Sequence, residues 1–298
     1  MPNRRAVRAG LSARWKLRNR LDQMDASRQV QHLAFRSGEL LPAEREVASE
    51  VPVAFTYRGS TQAVMMATPA DLEDFAYGFT LSEGIVTRPE DILSVSVEET
   101  GGGIELQIEL AGAYEEALTA RRRAMAGPVG CGLCGIESIE QALLPARKVD
   151  AVLTMTAANI ADAAASLGAH QPLFRATRAV HAAGFYVPGE GLTTVREDVG
   201  RHNALDKLCG ALARSGMDTS RGAIVLTSRL SVELVQKTAS AGIGMMIAIS
   251  APSSLAIAMA EAANITLVAL ARGSEFDVFT HPNRLAEWLS EGAFSDVA

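Results

Sequence analysis

Two of the three cysteines in this 298-residue chain lie in one short stretch, "GPVGCGLCGIESIEQAL", Gly127–Leu143. Cys131 and Cys134 are three apart, bracketed by Gly127, Gly130, Gly132 and Gly135. A C-x-x-C pair can be half of a zinc site, a redox dithiol or a pair of nucleophilic thiols. Structural zinc usually needs four ligands; His181, His202 and Cys209 are the candidates to complete a set, at a spacing that matches no common zinc pattern. A thioredoxin-type dithiol follows a strand, and "RRRAMAGPVG" is a poor one. The P-C-x-x-C portion is shared with zinc nucleobase deaminases, but none of the five histidines begins the H-x-E that supplies their third ligand and general acid/base. The glycines favour a thiol that visits two places, and Arg121, Arg122 and Arg123 favour the thiolate. Two inert buried thiols remain the plain alternative, and Cys209, in "NALDKLCGAL", reads as core.

Other residues could support that chemistry. "VREDVGRHNALDKLCG" places Asp198 near a helix start, where a carboxylate satisfies free backbone N–H groups. His202 and Asp206, four apart, share a helix face: either the carboxylate orients an imidazole able to move protons, or the residues are merely a cap and a surface pair. His181, on the preceding hairpin, is expected in the same region. Two turns, "LTSRLS" and "SAPSS", follow consecutive strands and bring Ser228, Arg229, Ser250 and Ser253 to helix starts. In open α/β sheets ligands bind beyond the carboxyl ends of strands, so these turns suit a phosphorylated or nucleotide-bearing ligand, or serve merely as N-caps.

The elements that must position these groups are legible in pattern. Val51–Tyr57 and Thr61–Thr68 read as a hairpin, followed by a helix with Thr68 as N-cap, Pro69 at N1 and Gly84 at C′. A second hairpin alternates Ile104, Leu106, Ile108 and Leu110 with polar residues. A helical stretch, Ala113–Met125, leads into the cysteine loop, and Asn159–Leu167 is helical. Strands Val180–Val187 and Thr193–Glu197 precede a helix over Arg201–Arg214. Strand Ala223–Thr227, helix Val232–Ala241, strand Met245–Ile249, helix Ser254–Ala263 and strand Thr266–Leu270 make two successive βαβ units, hence parallel strands in a layered sheet. The expected class is α/β, a layered mixed sheet with an N-terminal hairpin-and-helix portion. The expected division is a flexible basic arm over 1–45 and one domain over 46–298, its parts being 46–126, the cysteine loop 127–136 and 137–298.

Composition limits the partners. Residues 1–20 carry seven basic side chains and no acid, leaving 21 of the 28 basic residues against all 34 acidic ones. An acidic body without aromatic-studded basic patches argues against nucleic acid as the main ligand. The longest apolar stretch, Gly244–Ile249, is far short of a membrane span. Three cysteines make no disulfide framework, and Arg4-Arg5 has no apolar segment behind it, so a cytoplasmic protein is expected.

Taken in order, "CGLCGIE", "AVHAAGF", "VREDVGRHNALDKL", "SVELVQKTASAGI", "SAPSSLAIAMAEAANITLVALARG" and "FDVFTHP" resemble the formate dehydrogenase accessory sulfurtransferases, over roughly Val51–His281. The resemblance implies a cytidine deaminase-like α/β fold, a homodimer and a sulfur carrier. Such a carrier takes persulfide sulfur from a cysteine desulfurase to the molybdenum bis(molybdopterin guanine dinucleotide) cofactor, on which formate dehydrogenase depends. It further implies that Cys131 holds the persulfide, that Cys134 assists, and that Phe276, Asp277, Val278, Phe279, Thr280 and His281 bind the cofactor, with no structural metal. The rival from another class is a non-catalytic chaperone for cofactor and apo-enzyme.

Overall fold

The computed structural model describes residues 25–114 and 146–291. Its centre is a six-stranded sheet in the order β12-β11-β10-β9-β7-β8. The strands are β7 (His181–Val187), β8 (Gly191–Asp198), β9 (Ala223–Leu226), β10 (Met245–Ala248), β11 (Thr266–Arg272) and β12 (Glu275–Thr280). β9, β10 and β11 are parallel, while β7, β8 and β12 run antiparallel to their neighbours. The two βαβ units expected from the pattern are therefore present.

Strands β9 and β10 are only four residues long and wholly buried. Their period-2 geometry sends Ile224, Leu226, Met246 and Ala248 to one face, and Ala223, Val225, Met245 and Ile247 to the other. The first face is covered by α4 (Arg201–Ser215), α5 (Val232–Ser240) and α6 (Ser254–Ala262); the second packs on α2 (Ala157–Ala169). Burial on both faces explains why these strands read as unbroken apolar runs.

A second sheet, ordered β4-β3-β6-β5, comprises β3 (Val51–Tyr57), β4 (Ser60–Ala67), β5 (Ile92–Thr100) and β6 (Gly103–Leu110). One of its faces carries Val53, Phe55, Leu106 and Ile108, and packs against α1 (Leu72–Ser82) through Phe75, Ala76 and Phe79. Phe55 stacks on Phe79 at 4.0 Å between centroids and meets Phe75 edge-on at 4.9 Å. Gly84, at φ +64°, closes α1 as expected, but Thr68 is not its cap. Asp71, in the left-handed region, begins the helix, and Thr68 is drawn instead into the buried site below.

The arm expected over 1–45 is corrected for residues 27–45. Strands β1 (Ser27–Arg36) and β2 (Glu39–Ala48) form a two-stranded antiparallel ribbon. One face bears Leu33, Phe35, Leu40 and Pro42, all exposed; the other leans on α3 (Pro172–Thr177), where Arg45 donates to the Thr177 carbonyl at 3.2 Å. Neither face is fully buried, and apolar Ala34 and Leu41 lie on the face opposite Leu33, Phe35, Leu40 and Pro42, so the alternation is blurred and the segment reads as an arm. Residues 1–24 of the expected arm, the cysteine loop and most of the helix expected over Ala113–Met125 lie outside the described residues.

Candidate functional site

The N-terminal sheet is joined to the central one through α1 and α4, whose backbones nearly touch. A Cβ placed on Gly78 would lie 1.7 Å from the Asp206 carbonyl oxygen, and one on Gly210 would lie 1.8 Å from that of Asp74. Only glycine permits this approach. It lets polar groups of one helix reach into the other.

Asp198 is the hub. At the end of β8, with 0% exposure, it accepts from Lys207 Nζ at 2.6 Å, the Thr68 backbone N–H at 3.0 Å, Gly200 N–H at 2.8 Å and Asn203 Nδ2 at 2.9 Å. Lys207, equally buried, donates also to the Thr68 carbonyl at 2.8 Å and lies 5.5 Å above the Phe75 ring. A charge so buried is tolerable only when paired and fully hydrogen-bonded. Further along α4, Asp206 accepts from Ser82 Oγ at 2.7 Å and from Lys237 of α5 at 3.0 Å. Burial alone would lower the Lys237 pKa, but the Asp206 and Glu83 carboxylates outweigh it and hold the ammonium protonated. Near the solvent edge, Arg196 and Arg214 both grip Asp74.

Asp206 is therefore engaged with Ser82 and Lys237, which corrects the expectation that it orients His202. The imidazole Nε2 of His202 is enclosed with no hydrogen-bond partner, as is Nε of its neighbour Arg201. Burial, then the Arg201 and Lys237 charges, push His202 down to about 4, against the opposing pull of Glu233 and Glu83. His181 opens β7 directly opposite Asp198 in the ladder, as expected from sequence. It too is lowered, by burial and then Arg201, with Asp198 opposing.

Register places all of this at one end of the central sheet. Ala183 pairs with Leu226, so the start of β7 lies beside the carboxyl end of β9. Ala182 and Thr227 exchange hydrogen bonds, and the turns after β9 and β10 are tied together by Leu230 N–H to Ala251 O and Ser253 N–H to Leu230 O. His181, Asp198, His202 and the serine turns thus share the carboxyl edge, the position from which α/β sheets bind ligands. The serines differ among themselves. Ser253 caps α6 by accepting from Ala256 N–H at 3.2 Å, and Ser228 is buried and donates to the Arg229 carbonyl. Arg229 is exposed and Ser250 half-buried.

The Phe276–His281 stretch is elsewhere. β12 runs antiparallel along the edge of the sheet, Glu275 opposite Arg272 and Thr280 opposite Leu267, which carries His281 to the amino end. There an open groove of about 720 Å³ is lined by Val278, Phe279, Leu285 and Trp288, with Glu261, Thr280, His281 and Asn283 among its polar groups. His281 Nε2 lies 2.9 Å from the Glu261 carbonyl oxygen.

Cys131 and Cys134 lie outside the described residues. Cys209 is 6% exposed, and burial followed by the Asp206 charge pushes its thiol up to about 12, so it is core, as expected. Among the described residues no group of three His, Cys, Asp or Glu side chains could hold a metal, and no helix is long and apolar enough to cross a membrane. Sequence reading missed Lys207, Lys237 and Arg201. A lysine between the buried Leu205 and Leu208 was the available signal for Lys207; nothing local marks the other two.

Together these features define a layered α/β protein with a polar site at the carboxyl edge of its sheet and a cysteine pair on a separate stretch. The FdhD/NarQ family profile matches residues 48–286, and the chain belongs to that family. It is 55% identical over 259 residues to a sulfur carrier protein FdhD of Agrobacterium fabrum, covering 87% of this chain and 96% of that one. It is 56% identical over 262 residues to one of Brucella abortus, covering 88% and 97%. A crystal structure described as a formate dehydrogenase accessory protein of Desulfotalea psychrophila aligns with a TM-score of 0.69 at 25% identity, over 88% of this chain and all of the other.

Proposed function

We propose that this protein accepts persulfide sulfur from a cysteine desulfurase on Cys131 and delivers it to the molybdenum bis(molybdopterin guanine dinucleotide) cofactor for a formate dehydrogenase, acting in the cytoplasm as a homodimer. The observation that carries the reading is the division among its three thiols: Cys209 is sealed in the core with a raised pKa, which leaves nucleophilic sulfur chemistry to Cys131 and Cys134. Membership of a family whose relatives are named sulfur carriers supports it.

In the first step the Cys131 thiolate attacks the outer sulfur of the donor persulfide. The donor S–S bond breaks, the donor cysteine leaves as thiolate, and Cys131 becomes the persulfide. Attack by the Cys134 thiolate on the Cys131 sulfur then forms a Cys131–Cys134 disulfide and releases the outer sulfur at the sulfide level. A cellular dithiol resets the pair. Val278–His281 and the groove beside them hold part of the cofactor substrate, and Ser228, Arg229, Ser250 and Ser253 offer contacts to its phosphates. His181 and His202, both held below the ordinary histidine pKa first by burial, are the candidate proton-transfer groups, and Asp198 acts by holding β8, α4 and Thr68 in place.

The test is peptide mass spectrometry after incubation with an active cysteine desulfurase and cysteine. A reductant-sensitive gain of one sulfur (about 32 Da) on the Cys131 peptide, absent in Cys131→Ala, is expected. Absence of sulfur on both cysteines would overturn the carrier reading. Formate dehydrogenase activation that survives Cys131→Ala would indicate a chaperone instead.

A further inference from the structure

We propose that residues 1–24, the basic segment ahead of β1, dock on the outer face of the N-terminal sheet of their own chain and cover it.

The inner face of that sheet is filled: Val53 and Phe55 of β3, with Leu106 and Ile108 of β6, pack toward α1. The alternate residues turn to the other face. There Pro52 lies opposite Met66 and Ala54 opposite Val64, while Ala54 is level with Glu105 and Glu105 lies opposite Glu98. One row across the sheet therefore runs Val64, Ala54, Glu105, Glu98, apolar on the β4 side and acidic on the β5 side. Val64 and Met66 are 49% and 50% exposed, and Glu98 is exposed.

Neither half suits water alone. A sheet face turned to solvent ordinarily shows polar side chains, and an edge strand is ordinarily guarded by charge or proline. β4 is an edge strand and has neither. On the acidic half, Glu98 and Glu105 are like charges set directly opposite, a destabilising pair. The four strands together hold four glutamates and no lysine, arginine or histidine.

Residues 1–24 complement both halves. They carry seven basic side chains against one acid, Asp22, and in "LSARWKLRNRL" Trp15 and Leu17 alternate with Arg14, Lys16 and Arg18. Their point of attachment is at the rim of the face. The Ser49 backbone N–H donates to the Ala26 carbonyl at 2.9 Å, three residues before Pro52, so about 10 Å of chain separates the two places. Extended, 24 residues span roughly 80 Å, whereas the outer strands of a four-stranded sheet lie about 14 Å apart. Reach is no obstacle, and tethering at the rim gives this segment an advantage over any basic segment that must arrive from solution. The covered face borders the polar site, because the Met66 carbonyl accepts from Asn203 Nδ2 at 2.9 Å and the same amide donates to Asp198. A docked segment thus lies against the strand that leads into Thr68.

Tryptophan fluorescence of the full-length protein tests this. The chain has two tryptophans, so Trp288→Phe leaves Trp15 as the sole indole. Acrylamide quenching is measured with the face intact, with Val64→Arg and Glu98→Lys combined, and in urea. Quenching about twofold weaker in the native protein than in urea is expected, with most of that shielding lost in the face variant. Both substitutions fall at exposed positions. Were that variant unfolded by thermal melt, the triple change Arg14→Glu, Lys16→Glu and Arg18→Glu, which alters no residue of the sheet, is expected to remove the shielding instead. Native quenching equal to that in urea overturns the docking, as does shielding that survives in the folded variants. A last mixture asks whose face is covered. The face variant is refolded with an excess of chains that have an intact face and carry Trp15→Phe and Trp288→Phe. Shielding that stays lost supports docking within one chain; shielding that returns assigns the face to a second copy and overturns the proposal.

Discussion

Asp198 and Lys207 face each other at 2.6 Å with neither side chain exposed to solvent. One closes β8, the other lies two turns into α4, and both hold Thr68 of the N-terminal sheet. The pair fastens three elements at the polar site. Loss of one partner leaves the other as an uncompensated buried charge. Lys207→Met is expected to cost roughly 3–5 kcal/mol, and the double variant Asp198→Asn with Lys207→Met less than the sum of the two single changes. Urea unfolding of the four proteins measures this; additive costs would mean that the two do not act as a pair.

The α1–α4 crossing makes a differential prediction about glycine. Gly78→Ala and Gly210→Ala push a methyl group into a facing backbone carbonyl and should each destabilise by about 2 kcal/mol or more. Gly168, in α2, faces open space, with no atom within 4 Å of where a Cβ would sit. Gly168→Ala should therefore be neutral or stabilise by up to about 1 kcal/mol through helix propensity. Thermal melts of the three variants decide the matter, and a shared sign would contradict the crossing.

The neutral His202 makes stability depend on acid. Its folded pKa, about 4, lies below the ordinary histidine value near 6.5, so the unfolded chain binds the extra proton first. Stability from this group is full above about pH 6.5 and declines as pH falls toward 4, by roughly 2 kcal/mol for a partly exposed ring. His202→Gln should flatten that part of the pH–stability curve in urea titrations at pH 4, 5, 6 and 7. An unchanged slope would show that the fold does not lower the His202 pKa.

Cys209 should be silent toward thiol reagents. With its thiol pushed up to about 12 and nearly enclosed, it should resist iodoacetamide at pH 8 until the protein is unfolded. Cys209→Ala should leave sulfur loading intact. Counting carbamidomethyl groups by peptide mass spectrometry, native against denatured, tests both statements; native labelling of Cys209 would return it to the list of reactive thiols.

Much of the architecture could be read directly. Short apolar runs alternating with helical periods specify parallel strands because a strand buried on both faces has no polar side to show, and Ala223–Leu226 and Met245–Ala248 are both of this kind. Gly84 at the end of α1 was legible because a positive φ favours glycine at a helix end. The gathering of His181, Asp198 and the serine turns followed from topology, since antiparallel β7 must begin where parallel β9 ends. The β1–β2 ribbon was not legible, for it buries no full face and apolar residues on both faces blur its period.

What the sequence determined by itself was the set of elements, the family motifs and the chemical types available: two thiols between glycines, one thiol among leucines, and a histidine- and carboxylate-rich helix start. Only the tertiary structure decided how the charges are paired. Asp206 lies four residues from His202, a spacing that joins them on a helix face, yet it bonds to Ser82 and Lys237 because α1 and α5 bring stronger partners to it. Local spacing settles which groups can meet; long-range packing settles which of them do, because a buried ion pairs with whatever counter-charge the fold delivers closest.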